Sequence, residues 1–322
     1  PDEQIIVNKE YDENGNLIFY TDGRFAYNRN HQQMPNGAGM LGNPSSAQSA
    51  IIVPKPGDDT RYFIFTVASS GGPDGFRYSE VDMTLDGGLG DVIPATKNTL
   101  LFSPSVEKVA AIGHANGLYF WVIAHGLNNN RYYAYLVDCN GVGAPVISDV
   151  GQAEGPPGWG CLTASPDGTM LASAMRLPGF ELLQFDNATG IISDPILLHV
   201  QQGAYGVAFS PNSQVLYALS IEVGEISQWD LQAGTPANMI TSRQTIGIGA
   251  PVGSPGYQGG TIQQGPDGKL YIPDRGQPNL SVINAPNTLG PACGLQHDAV
   301  DLLGQNAILG LPPFIASFFD TT

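Results

Sequence analysis

Gly206-Val207-Ala208-Phe209-Ser210, the turn Pro211-Asn212-Ser213, then Val215-Leu216-Tyr217-Ala218-Leu219 are two short apolar runs joined by a polar turn. A third run, Glu225-Ile226-Ser227-Gln228-Trp229-Asp230-Leu231, and a fourth near Arg243 to Ile248 complete a unit of four strands. Short apolar runs bounded by turn residues are the strand signal, and Asn, Asp, Pro and Gly supply the turn because they accept the backbone angles it needs.

The unit returns. The preceding one has Cys161-Leu162-Thr163-Ala164, Met170 to Met175, Phe180 to Phe185 and Ile196 to Val200. The following one has Thr261-Ile262-Gln263, Leu270-Tyr271-Ile272, Leu280 to Ile283 and Ala299 to Leu302. Earlier units begin at Ile5-Ile6-Val7, Ala50 to Val53 and Val109 to Ile112. Turns anchored at Gly15, Asp58, Gly117, Gly168, Ser213 and Gly268 recur every 43 to 59 residues. That period predicts an all-β chain, a β-propeller of four-stranded blades, because a lone four-stranded sheet must bury its faces against neighbours. No stretch carries a convincing helical period, so no long helix is expected. A last apolar run, Phe314-Ile315-Ala316-Ser317-Phe318-Phe319, either completes the first unit or begins another. Seven blades are favoured, with six as the alternative. Residues 1–322 read as one propeller domain, and Pro1 in place of Met suggests a portion of a longer multidomain protein.

Composition bounds the function. Of 322 residues, 42% are hydrophobic and 13% charged, with Gly 41 and Pro 25 spread along the chain, which suits many short strands. The formal charge of −16 repels phosphate backbones and anionic membranes, so no nucleic-acid partner is expected. No run of 18 apolar residues spans a membrane. Cys139, Cys161 and Cys293 lack metal-ligand spacing; Cys139 and Cys161 either pair or are buried small hydrophobes.

Gly15-Asn16-Leu17-Ile18-Phe19-Tyr20-Thr21-Asp22-Gly23, Tyr27 to Gln32, Met34-Pro35-Asn36-Gly37, Gln48 to Gly57 and Leu309 to Ile315 together resemble a large group of Bacteroidota surface proteins. In that group a propeller-like N-terminal region precedes immunoglobulin-like or PKD-type repeats and a C-terminal gliding-motility-associated or type IX secretion sorting domain. The resemblance covers nearly the whole chain. It implies secretion and a place at the cell surface, with other domains of the same polypeptide or copies in an assembly as neighbours. It implies no reaction. The chain departs from the group in lacking an aromatic-rich stretch before Ile5.

Aromatic residues precede glycine before successive inner strands: Trp159-Gly160, Tyr205-Gly206, and Tyr257 with Gly259-Gly260. Ringed around one mouth, Trp159, Tyr205 and Tyr257, with Gln258 beside them, would bind a glycan or a protein side chain. The alternative is that each aromatic packs between blades and the glycine allows a close crossing. Asp12-x-Asn14-Gly15-Asn16 lacks the downstream glutamate of a calcium loop and reads as a hairpin turn. His31, His114, His125, His199 and His297 are scattered, so neither a metal nor another cofactor is expected. The inner strands offer mostly Ala, Ile, Val, Thr and Gln, and no nucleophile elbow, phosphate loop or HExxH motif occurs. The expectation is therefore a non-enzymatic extracellular adhesion module, with a structural subunit of a surface filament as the alternative. A lactonase-like hydrolase is the third reading.

Overall fold

The computed structural model describes residues 8–11, 15–248 and 259–315. Among them lie six antiparallel sheets, each formed by consecutive strands in chain order. Blade three shows the plan: an inner strand (Ser105–Gly113), a second (Phe120–Gly126), a third (Asn129–Asp138) and a long outer strand (Gly141–Glu154). Blades four to six begin at Leu162, Ala204 and Gln263. Blade two begins at Ala50 and divides its outer position between Asp91–Val92 and Thr99–Phe102, both paired to its third strand. Among the described residues, helix is confined to Pro236–Thr241, capped by Thr235, and two single 3₁₀ turns.

The recurring turns have one structural job. Those at Gly57, Gly117, Gly168, Ser213 and Gly268 each join an inner strand to the second strand of its blade. They therefore lie together on one face of the ring. The opposite face is built from the crossings between blades and the turns between second and third strands.

Burial follows the radial plan. The first two strands of blade five, Ala204–Phe209 and Val215–Ser220, are buried at every position. Apolar side chains of adjacent blades share cores. One joins blades four, five and six through Phe180, Trp229 and Leu270. Others join blades two and three through Phe65, Phe76 and Tyr135, and three and four through Trp121, Tyr132 and Phe185.

The blade count corrects the favoured reading of seven. Six sheets are present among the described residues, as in the alternative. The C-terminal run adds no strand over Ala307 to Ile315. Pro312 and Pro313 supply no amide donors, so this segment cannot build a ladder there. It crosses the ring instead: Leu309 accepts the Thr261 N–H at 2.7 Å, and Ile315 is buried in the core of blades two and three. The expected strand over Ile5–Val7 and the last residues of the Phe314–Phe319 run lie outside the described residues. The inner strand observed in blade one is Asn8–Tyr11.

All three cysteines are free, with Cys139 exposed and Cys161 and Cys293 buried. No helix among the described residues is long and apolar enough to cross a membrane.

Candidate functional site

The axial channel offers little chemistry. Gln48 dominates its upper end: its amide oxygen accepts the Leu162 and Val109 N–H groups and its amide nitrogen donates to the Leu162 carbonyl. Pro313 and Phe314 fill the space beside Ala110, Ala164 and Ala208, leaving about 40 Å³. That volume holds about one water.

Functional groups converge instead at the crossing face between blades two, three and four. Ser70 sits on the turn between the second and third strands of blade two, exposed, with φ of 50°. A non-glycine residue in that region is strained, a conformation Ser70 shares with eight others among the described residues. Behind it lies Glu107 on the inner strand of blade three, 2% exposed. Glu107 Oε1 accepts the Ser70 N–H at 2.7 Å and the Ser70 hydroxyl at 3.4 Å, while Oε2 accepts the Ala47 N–H at 3.0 Å. Burial pushes the Glu107 carboxyl up to about 7, against those hydrogen bonds and the nearby Lys108 charge. A carboxyl poised near neutrality can take up and return a proton at physiological pH.

Trp159 forms the next wall. Its indole N–H points to Ser70 Oγ at 3.5 Å, and the Arg176 guanidinium lies over its ring, 5.3 Å from the centroid. Arg176 donates to Glu222 of blade five through Nε and Nη2. The guanidinium is thus fixed between an aromatic face and a carboxylate, as a preorganised cation should be. Beyond Arg176 opens a cavity of about 240 Å³ lined by Glu154, Gly155, Pro156, Pro157, Arg176 and Leu177.

Under this surface runs a buried polar seam. Lys108 Nζ contacts Glu154 Oε2 at 2.5 Å and Ser173 Oγ at 3.4 Å. Glu181 accepts the Gln152 N–H at 3.0 Å and the Tyr132 hydroxyl at 3.4 Å, and burial pushes its carboxyl up to about 7. His125 packs edge-on to Tyr132 with ring centroids 4.3 Å apart, and burial pushes it down to about 3.

The predicted site residues part company. Trp159 is half-buried at the mouth. Tyr205 is buried in the core shared by blades four, five and six, so it offers no face to a ligand. Tyr257 and Gln258 lie outside the described residues. The glycines beside these aromatics serve close crossings: a Cβ on Gly160 would stand 2.2 Å from the Ala174 carbonyl oxygen, and one on Gly206 2.4 Å from that of Gly260. Ser70, Glu107, Glu154 and Arg176 were missed. One signal was available, the charged pair Glu107-Lys108 inside an otherwise apolar inner strand. That pair is an exception among inner strands expected to carry mostly Ala, Ile, Val, Thr and Gln. No group of three or more His, Cys, Asp or Glu able to hold a metal occurs among the described residues.

No family model matches the sequence, and no curated protein is similar to it at a significant level. Solved structures share the fold. A putative 6-phosphogluconolactonase from Bacteroides fragilis is 14% identical, with 90% of this chain and 79% of that chain covered and a TM-score of 0.53. A streptogramin B lyase is 12% identical over 89% and 82% of the two chains, also with a TM-score of 0.53. A periplasmic gluconolactonase from Pseudomonas aeruginosa is 15% identical over 90% and 80%, with a TM-score of 0.50. At such identities the likeness is one of fold. Two of these three structures are named as lactonases and the third as a lyase, which runs against the expectation of a non-enzymatic adhesion module.

Proposed function

We propose that the chain is a lactonase-like hydrolase that opens a small cyclic ester at the crossing face. The observation that carries this reading is the exposed Ser70 hydroxyl, held at positive φ and backed by the buried Glu107 carboxyl. A serine on a strained turn presents its oxygen clear of the backbone, the arrangement a nucleophile needs. Contacts of 3.4 Å are loose, as catalytic hydrogen bonds commonly are before substrate closes on them.

Each residue then has a role. Ser70 Oγ attacks the ester carbonyl as Glu107 takes its proton. Arg176 stabilises the negative oxygen that develops. The ring C–O bond breaks, Glu107 returns the proton to the leaving alkoxide, and the opened acid is held as an ester of Ser70. Water attacks that ester, giving its proton to Glu107, and Ser70 Oγ leaves with the proton restored. Trp159 offers the ring of the substrate an apolar face. The lactonase names among the fold's relatives support the substrate class, and the resemblance to surface proteins supports an extracellular setting.

Proton NMR of a sugar lactone incubated with the protein tests the reading. The wild type converts lactone to hydroxy acid faster than buffer, and Ser70→Ala lowers the enzymatic rate by at least about a hundredfold. Equal rates for the two proteins would remove Ser70 from the reaction.

A further inference from the structure

The recurring turn lets one blade be judged against another. Ser165-Pro166-Asp167-Gly168 in blade four, Ser210-Pro211-Asn212-Ser213 in blade five and Gly265-Pro266-Asp267-Gly268 in blade six all join an inner strand to a second strand. Asp167 Oδ1 closes its turn by accepting the Ser165 hydroxyl at 2.6 Å, the Thr169 N–H at 3.1 Å and the Thr169 hydroxyl at 2.9 Å. Asn212 Oδ1 does the same with an uncharged amide, accepting the Ser210 hydroxyl at 2.7 Å and the Gln214 N–H at 3.2 Å. The turn therefore needs one side-chain oxygen and no charge. In blade six the charge is engaged: Asp267 Oδ2 accepts the Tyr271 hydroxyl at 2.9 Å and lies 3.9 Å from Lys269 Nζ. Asp167 Oδ2 has neither a hydrogen bond nor an ion pair among the described residues.

That carboxylate is exposed in the wall of a bowl of about 440 Å³ between blades three and four. The bowl lies on the turn face, opposite Ser70, and its volume is in the range of ligand sites. Half-buried Tyr119 and Phe120 give it aromatic surface, and the His114 ring beside them stacks on Trp121 with centroids 5.8 Å apart. Asn187 completes the lining. Its backbone carbonyl accepts the Trp121 indole N–H at 2.8 Å and the Ala115 N–H at 3.1 Å, while its half-buried side-chain amide has no partner among the described residues. No Lys or Arg lines the bowl.

Charge selects the ligand. An anion would be repelled by Asp167. A neutral hydroxyl would be served as well by an amide of the kind Asn212 carries, which would leave the carboxylate without a role. A cation uses it, and an aromatic wall beside it receives both an apolar stem and the positive charge. We infer that the bowl binds an alkylammonium group, with its N–H groups donating to Asp167 Oδ2 and to the Asn187 amide oxygen and its stem against Tyr119 and Phe120. The site is independent of Ser70 and of the hydrolytic reading.

Titration calorimetry with pentylamine, one ammonium on a five-carbon stem, tests it on the full chain at low salt. The wild type and Ser70→Ala bind it alike, and affinity falls as sodium chloride is raised. Asp167→Asn weakens binding about tenfold or more, the scale of a hydrogen bond to a charged group. The same variant melts with the wild type, because Asn212 already makes this turn with an amide. Asn187→Ala keeps the carbonyl bonds to Trp121 and Ala115 and also weakens binding, which gives a second variant. Pentan-1-ol, the same stem without the charge, does not compete. N-acetyl-lysinamide, a lysine side chain with its α-amine blocked, competes with pentylamine, and the tighter of the two tells whether the ammonium comes from a free amine or from a peptide. No saturable binding to the wild type, undiminished binding to folded Asp167→Asn, or equal competition by pentan-1-ol overturns the site.

Discussion

Lys108 Nζ lies 2.5 Å from Glu154 Oε2, and neither side chain reaches solvent. The pair joins the inner strand of blade three to the end of its outer strand, and through Ser173 it touches blade four. Two buried charges are tolerable only together. Lys108→Met should destabilise the protein by about 3–5 kcal/mol, because Glu154 is left buried and alone. The double variant Lys108→Met/Glu154→Met should recover most of that loss. Urea unfolding of the three proteins measures it; a double variant no better than the single one would show that the pair contributes through packing instead.

Stability should depend on pH through two opposed sets of groups. His125 is pushed down to about 3, so below its unfolded value of roughly 6.5 the unfolded chain binds a proton that the native state refuses. Stability from His125 is therefore lost as pH falls from about 6.5 towards 3. Glu107 and Glu181 are pushed up to about 7. Their contribution is full below roughly 4.5 and is lost as pH rises through 7. Glu181→Gln should flatten the loss on the alkaline side, and His125→Phe the loss on the acid side. Unfolding free energies at pH 4.5, 6 and 8 check both signs.

Gly160 marks the crossing into blade four, at φ of 119° and with the Ala174 carbonyl 2.2 Å from where a Cβ would stand. Gly117, in the turn on the opposite face, has φ of 70° and open space around it. Gly117→Ala should cost only the strain of its backbone angle, about 1–2 kcal/mol. Gly160→Ala must also move a backbone segment between two blades and should cost more. Thermal unfolding of the two variants compares them directly; equal losses would mean that the crossing can relax.

The fold was legible because its signals are local. The Pro-Asp-Gly and Asn-Gly turns state where an inner strand ends, and alternation around them states that strands follow. The blade count was not local: it depends on what the segment around Pro312-Pro313 does after leaving blade six, and that segment packs across the axis. The site was least legible. Ser70, Glu107, Glu154, Trp159 and Arg176 come from three blades, and only ring formation brings them together. Trp159 was singled out as an aromatic before a crossing glycine, and it lies half-buried beside Ser70. Tyr205 has the same local pattern but turns into the shared core, and no neighbour in sequence distinguishes the two. Glu107-Lys108 was the missed clue, since charges inside a buried strand need a partner or a task.

The initial rate of sugar-lactone opening, followed by pH-stat from pH 5 to 9 for the wild type and Glu107→Gln, tests the central claim most directly. The hydrolytic role of Glu107 predicts a wild-type rate above buffer that rises through pH of about 7, as the carboxyl becomes able to accept the Ser70 proton. It predicts a Glu107→Gln rate lower by about a hundredfold or more and without that rise. A wild type no faster than buffer, or a folded Glu107→Gln protein that keeps the wild-type rate and profile, would contradict it.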